Sequence, residues 1–248
     1  MIKKIIKFIL PKFFFNFLKK INDDHKLEKF KNLPIEETFK KIYEEKLWTP
    51  NKEKNNFKYY SGLGSHELEF TKEYIDKIKI FFNSLEKKPN VVELGCGDFE
   101  VSSNLVSFTN SFIACDVYED LINFNKKKYK NLNVNFRILD ITKDELPMAD
   151  ICIIRCVLQH LSNDLIIKIV DKIKNKFNYL LVTEHYPDQK SFLANLDIVT
   201  GPDIRLSIDS FVDLSKNPFN LKFKKEKNFC KIFSKKINGY LNTQLYEL

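Results

Sequence analysis

Val91-Val92-Glu93-Leu94 runs into Gly95-Cys96-Gly97-Asp98, an apolar strand that closes beside an acid and turns on two glycines. Glycine serves where φ is positive, or where a ligand must approach the backbone with no Cβ in between. The chain has six glycines in 248 residues, and four fall in Gly62-x-Gly64 and Gly95-x-Gly97. That concentration predicts a ligand-binding turn at the carboxyl end of a strand in an α/β sheet. A helix-like run from Glu100 to Phe108 follows. A dinucleotide fingerprint would place a third glycine at position 100, where this chain has Glu100. The charge of Glu100 opposes a phosphate at a helix N-terminus, and Glu93 repels one too. Glu93 suits a ligand that carries cationic groups instead.

Further strands follow at regular spacing. Ser111 to Asp116 is a short apolar strand ending in an acid about twenty residues beyond the turn. Asn133 to Ile141 alternates in the manner of a third strand, and Ala149 to Arg155 is apolar enough to be buried on both faces. A helix is predicted from about Asn163 to Lys174, then a fifth strand from Tyr179 to Thr183.

The block Glu-Leu-Gly-Cys-Gly-Asp over 93–98, with these strands, resembles the first motif and the strand order of class I S-adenosylmethionine-dependent methyltransferases. The resemblance spans roughly residues 57 to 235. It implies an α/β fold: a Rossmann-like, doubly wound, seven-stranded, mostly parallel sheet with an antiparallel last strand. Phe219 to Phe223 and Cys230 to Phe233 then supply the final antiparallel strands. S-adenosylmethionine is the implied cofactor, its ammonium and sulfonium matched to Glu93. By the same resemblance Glu93, Gly95, Cys96 and Gly97 shape the methionyl pocket, Asp116 binds ribose, and Asp140 with Ile141 holds adenine. Arg155, at the end of the fourth strand, joins this cofactor set. Ser61-Gly62-Leu63-Gly64-Ser65 resembles a loop found ahead of the first strand in some small bacterial methyltransferases. Its amides suit an anion such as the methionyl carboxylate, or the loop simply caps the helix beginning near Glu67.

Chemistry is expected beyond strands four and five. Arg155-Cys156-Val157-Leu158-Gln159-His160 lacks the Asn/Asp-Pro-Pro-aromatic motif of many amino-group methyltransferases, which favours an oxygen acceptor. Histidine can take a hydroxyl proton near neutral pH, so His160 is the first candidate base and His185 the second. Gln159, Glu184, Tyr186, Asp203 and Arg205 are the candidate acceptor-binding residues, the last two in an irregular stretch before the final strands. A structural hydrogen bonder at His160 and a solvated Asp203–Arg205 ion pair remain the alternatives. No spacing demands a metal. The five cysteines are scattered and read as reduced thiols of a cytosolic protein.

Residues 1–56 read as an N-terminal helical extension and 57–248 as the cofactor-binding domain. The first 21 residues hold six lysines and no acid among bulky apolar side chains, within a chain of net charge +8. Lys7, Pro11 and Lys12 break any membrane span or signal sequence. Such a segment suits the inner face of an anionic membrane, or packing on the domain or a second subunit. Beyond it the charge is nearly balanced, which disfavours nucleic acid as a partner. The expected function is O-methylation of a small polar acceptor, a sugar or sugar nucleotide for a surface polysaccharide. An RNA methyltransferase and a non-catalytic partner in a membrane-associated complex are the rivals. Oligomeric state is not legible.

Overall fold

The computed structural model describes residues 28–51, 56–174 and 176–248. The lysine-rich segment of 1–27 lies outside the described residues. Seven strands form one sheet in the order β3-β2-β1-β4-β5-β9-β8. They are β1 (Asn90–Leu94), β2 (Ser111–Asp116), β3 (Val134–Ile138), β4 (Ile151–Arg155), β5 (Tyr179–Pro187), β8 (Lys225–Ser234) and β9 (Gly239–Glu247). β6 (Leu193–Ala194) and β7 (Ser210–Phe211) pair separately. β1 to β5 are parallel, and β9 runs antiparallel between β5 and β8. Strand order reverses between β1 and β4, so the turn after β1 opens onto the crevice where such sheets take ligands.

Alternation on the central strands builds two cores. Val92, Leu94, Cys152 and Ile154 face α5 (Asn163–Ile173), which buries Ile166, Ile169, Val170 and Ile173. Val91, Ile151 and Ile153 face α3 (Leu68–Asn83), whose Phe70, Tyr74, Ile78 and Phe82 recur at four-residue spacing. Strands buried on both faces explain why β2 and β4 read as nearly continuous apolar runs. α1 (Ile35–Glu44), α2 (Leu63–His66) and α4 (Glu119–Lys128) complete the helices used below. Lys126, Lys127 and Lys128 form the exposed last turn of α4, where cations suit the helix dipole.

Three expectations need correction. Residues 100–108 form two 3-10 turns, Ser102–Asn104 and Val106–Phe108, in place of a helix. Ser103 Oγ and Asn104 Nδ2 both donate to the Glu100 carbonyl, a local bond that competes with the helical one. Phe219 to Phe223 is irregular: Asn220 has φ of 45°, and Phe219 and Leu221 plug the α5-side core. The strand pair is Lys225–Ser234 with Gly239–Glu247, and the polar run Asn242-Thr243-Gln244 conceals the second of these from an apolar pattern. β5 also continues past Thr183 to Pro187, which puts Glu184, His185 and Tyr186 inside a strand.

Ile153 lies fully buried at the centre of the sheet. Ile153→Ala should lower stability by about 2–5 kcal/mol, read as a lower urea midpoint with an unchanged slope.

Candidate active site

The turn after β1 is built by close approach. Gly95 has φ of 77°, and a Cβ there would lie 2.5 Å from Val157 Cγ2. Gly97 has φ of 55°, and its Cβ would fall on Ser61 Oγ and 3.0 Å from Ser61 Cβ. The Gly97 N–H donates to Asp116 Oδ2 (3.0 Å), and its carbonyl accepts from Asn125 Nδ2 of α4 (2.7 Å). Gly97 is thus gripped from both sides while Ser61 covers it.

Ser61 and Asp98 hold each other reciprocally. The Ser61 N–H donates to Asp98 Oδ2 (3.0 Å), and the Asp98 N–H donates to Ser61 Oγ (2.8 Å). Tyr43 of α1 shares a hydrogen bond with Ser61 Oγ (2.9 Å), and His66 Nε2 lies 2.5 Å from Asp98 Oδ2. From β4, Arg155 Nη2 donates to the Gly64 carbonyl (2.6 Å), and Nη1 reaches Ser65 Oγ at 3.4 Å. The loop is therefore locked over the turn. Its Ser61 and Ser65 amides are spent internally, on Asp98 and on the Gly62 carbonyl, so those two do not form the anion nest expected there. Gly62 and Gly64 shape the loop without lining the cavity.

Beneath it lies a cavity that opens to solvent at its mouth. Ser61, Ser65, Glu93, Gly95, Cys96 and Gly97 line it, as do Asp116, Ile141, Arg155 and His160. These were expected. Glu93 is buried, with Oε1 accepting from Ser102 Oγ (2.7 Å) and Oε2 without a partner. Burial pushes its pKa up to about 8, against the Ser102 hydrogen bond and Arg155, with Asp116 and Asp98 adding to the rise. Burial also raises Asp116, opposed by the Gly97 and Tyr118 amides. The thiols of Cys96 and Cys156 are pushed up by burial, Cys156 to about 12, so they act as packing groups.

His160 borders the cavity. Its Nδ1 lies 3.0 Å from the Asp203 carbonyl, a pairing that requires the proton on Nδ1, and its Nε2 accepts from Gln159 Nε2 (3.4 Å). Burial holds its pKa down at about 4. His185 does not line the cavity; burial, then His160 and Arg155, lower it to about 3, and its Nδ1 has no partner.

The structure reassigns most of the expected acceptor set. Glu184 accepts from the amides of Val157 (3.2 Å), Leu158 (2.8 Å) and Gln159 (3.1 Å), so it caps the 3-10 turn Leu158–His160 from within β5. Gln159 Oε1 accepts from the His185 N–H, tying that turn to the strand. Tyr186 packs on Phe211, 4.8 Å between ring centres. Arg205 is buried, and its guanidinium bonds the carbonyls of Leu161 and Leu196. Asp203 contributes its backbone carbonyl to His160. Asp140 lies outside the wall: its Oδ1 accepts from Thr142, and Lys143 sits 3.2 Å from Oδ2. For Glu184, Gln159 and Arg205 a buried polar group is satisfied by a backbone partner distant in sequence, which spacing alone does not reveal.

Other walls were missed. Ile35, Phe39 and Tyr43 of α1, with Trp48 just beyond, belong to the cavity although they fall within residues 1–56. Val117 and Leu139 were legible as apolar neighbours of Asp116 and Asp140, and Asp98 as the residue directly after the glycines. Among the described residues no three His, Cys, Asp or Glu side chains gather as a metal set.

Two outcomes test these assignments. A carboxyl whose folded pKa is raised stabilises the fold below its unfolded pKa and loses that contribution as pH rises through the folded value. Glu93, at about 8, should therefore make the ligand-free protein less stable between pH 5 and 9. Glu93→Gln should remove part of that fall and gain roughly 1–4 kcal/mol over the parent at pH 9, little at pH 5, by denaturant melts. Arg205→Leu should cost about 2–4 kcal/mol by stranding two carbonyls, and leave ligand affinity at the cavity within about twofold.

No family model and no curated protein matches the chain in sequence. Among solved structures it is similar to the N-methyltransferase NodS from Bradyrhizobium japonicum WM9 in complex with S-adenosyl-L-homocysteine, with TM-score 0.57 and 10% identity over 83% of this chain and 98% of that one. It is also similar to the bifunctional kinase-methyltransferase WbdD, with TM-score 0.51 and 15% identity over 74% of this chain. The match spans only 40% of WbdD. With the strand order above, these likenesses show that the chain has the Rossmann-like fold of class I S-adenosylmethionine-dependent methyltransferases.

Proposed function

We propose that the protein is an S-adenosylmethionine-dependent methyltransferase acting on a small polar acceptor. The observation that carries this is Glu93: a buried carboxylate at the end of β1, with Oε2 unpartnered, in the same cavity as Asp116 at the end of β2. An orphaned acid there calls for a ligand with N–H donors or positive charge. The cofactor fits, since it would supply an ammonium for Glu93, ribose hydroxyls for Asp116, and the transferable methyl on a sulfonium. Val117, Leu139 and Ile141 offer the apolar slot for adenine. Arg155 and Ser65, whose Nη1 and Oγ lie 3.4 Å apart, also stand in the wall.

The acceptor lies on the His160 side. With Nδ1 bound to Asp203, Nε2 is the accepting nitrogen, and an incoming hydroxyl would take the place of the long 3.4 Å bond from Gln159 Nε2. We read the acceptor as the hydroxyl of a sugar or sugar nucleotide destined for a surface polysaccharide, with the enzyme in the cytosol. The basic segment of residues 1–21 would dock it on the inner membrane face; no helix among the described residues is long and apolar enough to cross a membrane. A second reading has one observation in its favour. A histidine held down at about 4 is a weak base, which suits a neutral amine that attacks before losing its proton. NodS, the structural neighbour above, is an N-methyltransferase. RNA fits poorly, because the cavity presents Glu93, Asp98, Glu100 and Asp116 against the single cation Arg155 among the described wall residues.

Radiolabelled methyl from S-adenosylmethionine should enter the sugar-nucleotide or lipid-linked fraction of a host extract. Asp116→Ala should weaken cofactor binding about 10- to 100-fold and remove the label. Retention of labelled product on a cation exchanger would select the amine over the hydroxyl. Label in RNA would overturn the substrate class. No label despite cofactor binding would favour a non-catalytic partner.

A further inference from the structure

The cavity wall carries the acids Glu93, Asp98, Glu100 and Asp116, and also an apolar set of Ile35, Phe39, Trp48 and Leu161 together with His160. Trp48 is held before any ligand arrives: its Nε1 donates to the Pro202 carbonyl (2.9 Å), and its ring centre lies 4.8 Å from that of His160. Phe39 at 6.1 Å and Tyr43 at 5.4 Å support the indole from α1. His160 is tied to the same segment through the Asp203 carbonyl, and its own carbonyl accepts from the Gly201 N–H (3.0 Å). Trp48, His160 and the 201–203 segment therefore form one fixed edge, and a half-buried tryptophan is left bordering the cavity. A pre-set aromatic beside a hydrogen-bond acceptor recognises a ring that has an apolar face and a polar rim.

Charge excludes the alternative. The terminal nitrogens of Arg155 are engaged with Gly64 and Ser65, and its guanidinium lies 5.0 Å over the Tyr74 ring. Glu100 at the rim is paired with Lys128 (2.7 Å). Nothing else cationic stands among the described wall residues to receive a phosphate, and the acids Asp98 and Asp116 in the wall disfavour one. Building on the methyltransferase reading, we infer that the Trp48–His160 edge takes an uncharged acceptor ring against Trp48, with its nucleophilic group beside His160. Any phosphate the acceptor carries stays outside the cavity.

Trp48 is the only tryptophan in the chain, so its fluorescence reports this edge directly. The full-length protein, with S-adenosylhomocysteine bound as shown by calorimetry, would be titrated with phenyl β-D-glucoside and with phenyl phosphate. The glucoside should perturb Trp48 saturably and bind at least about tenfold more tightly than the phosphate. By calorimetry, Trp48→Ala should weaken the glucoside about fivefold or more, and Trp48→Phe should restore most of it. Both variants should bind S-adenosylhomocysteine as the parent does. Equal or tighter binding of the phosphate would overturn the inference. So would silence from both probes on a protein that binds S-adenosylhomocysteine, or an unaffected Trp48→Ala. Failure of S-adenosylhomocysteine itself to bind would sink the methyltransferase reading instead.

Discussion

The approach of Ser61 to Gly97 is the contact on which the rest of the site depends. Asp98 and Ser61 exchange two hydrogen bonds across it, one to a carboxylate, and hydrogen bonds to charged groups contribute about 1.5–3 kcal/mol each. Through this pair the 61–65 loop, the turn after β1 and α1 become one unit, with Tyr43 bonded to Ser61 from the helix and Arg155 to the loop from β4. The glycine at 97 is what lets the loop sit so low. A side chain there would meet Ser61 and would also oppose the positive φ.

That arrangement divides the chemistry by charge. Acids at the ends of β1 and β2 are buried under the loop, and their cost is reduced by protonation or by a cationic ligand. Beside them in the wall, burial keeps His160 neutral and Trp48 supplies area without charge. Glu184 contributes from behind: by capping the 158–160 turn it fixes where His160 stands without touching the cavity itself.

The centre of the parallel sheet was legible because β1 and β4 are buried on both faces, whereas the exposed edge strand β3 was read from its alternation alone. β2 was read from Ser111 to Asp116, its full extent, and the helix at Asn163 ends one residue from its expected limit. The turn after β1 was legible because glycines and acids at strand ends have local meanings, although the same reading put Asp140 on a wall it does not reach. The surroundings of His160 were not. Arg205 and Leu161 are 44 residues apart in sequence, and nothing nearby shows that a carbonyl awaits the guanidinium. Trp48 likewise belongs to the cavity only because α1 folds back onto the sheet. Gly239–Glu247 escaped notice because a strand between β5 and β8 can carry Asn242, Thr243 and Gln244 toward neighbouring polar groups such as Thr183 and Asn228.

The direct test of the clamp is calorimetric titration of S-adenosylhomocysteine into the parent protein and into Gly97→Ala, with thermal unfolding to show that both are folded. Binding by the parent and a loss of about tenfold or more in the folded variant is the result that lifting the loop off the turn predicts. Equal affinity in the two proteins would contradict the account, since the loop would then contribute nothing to the cofactor site.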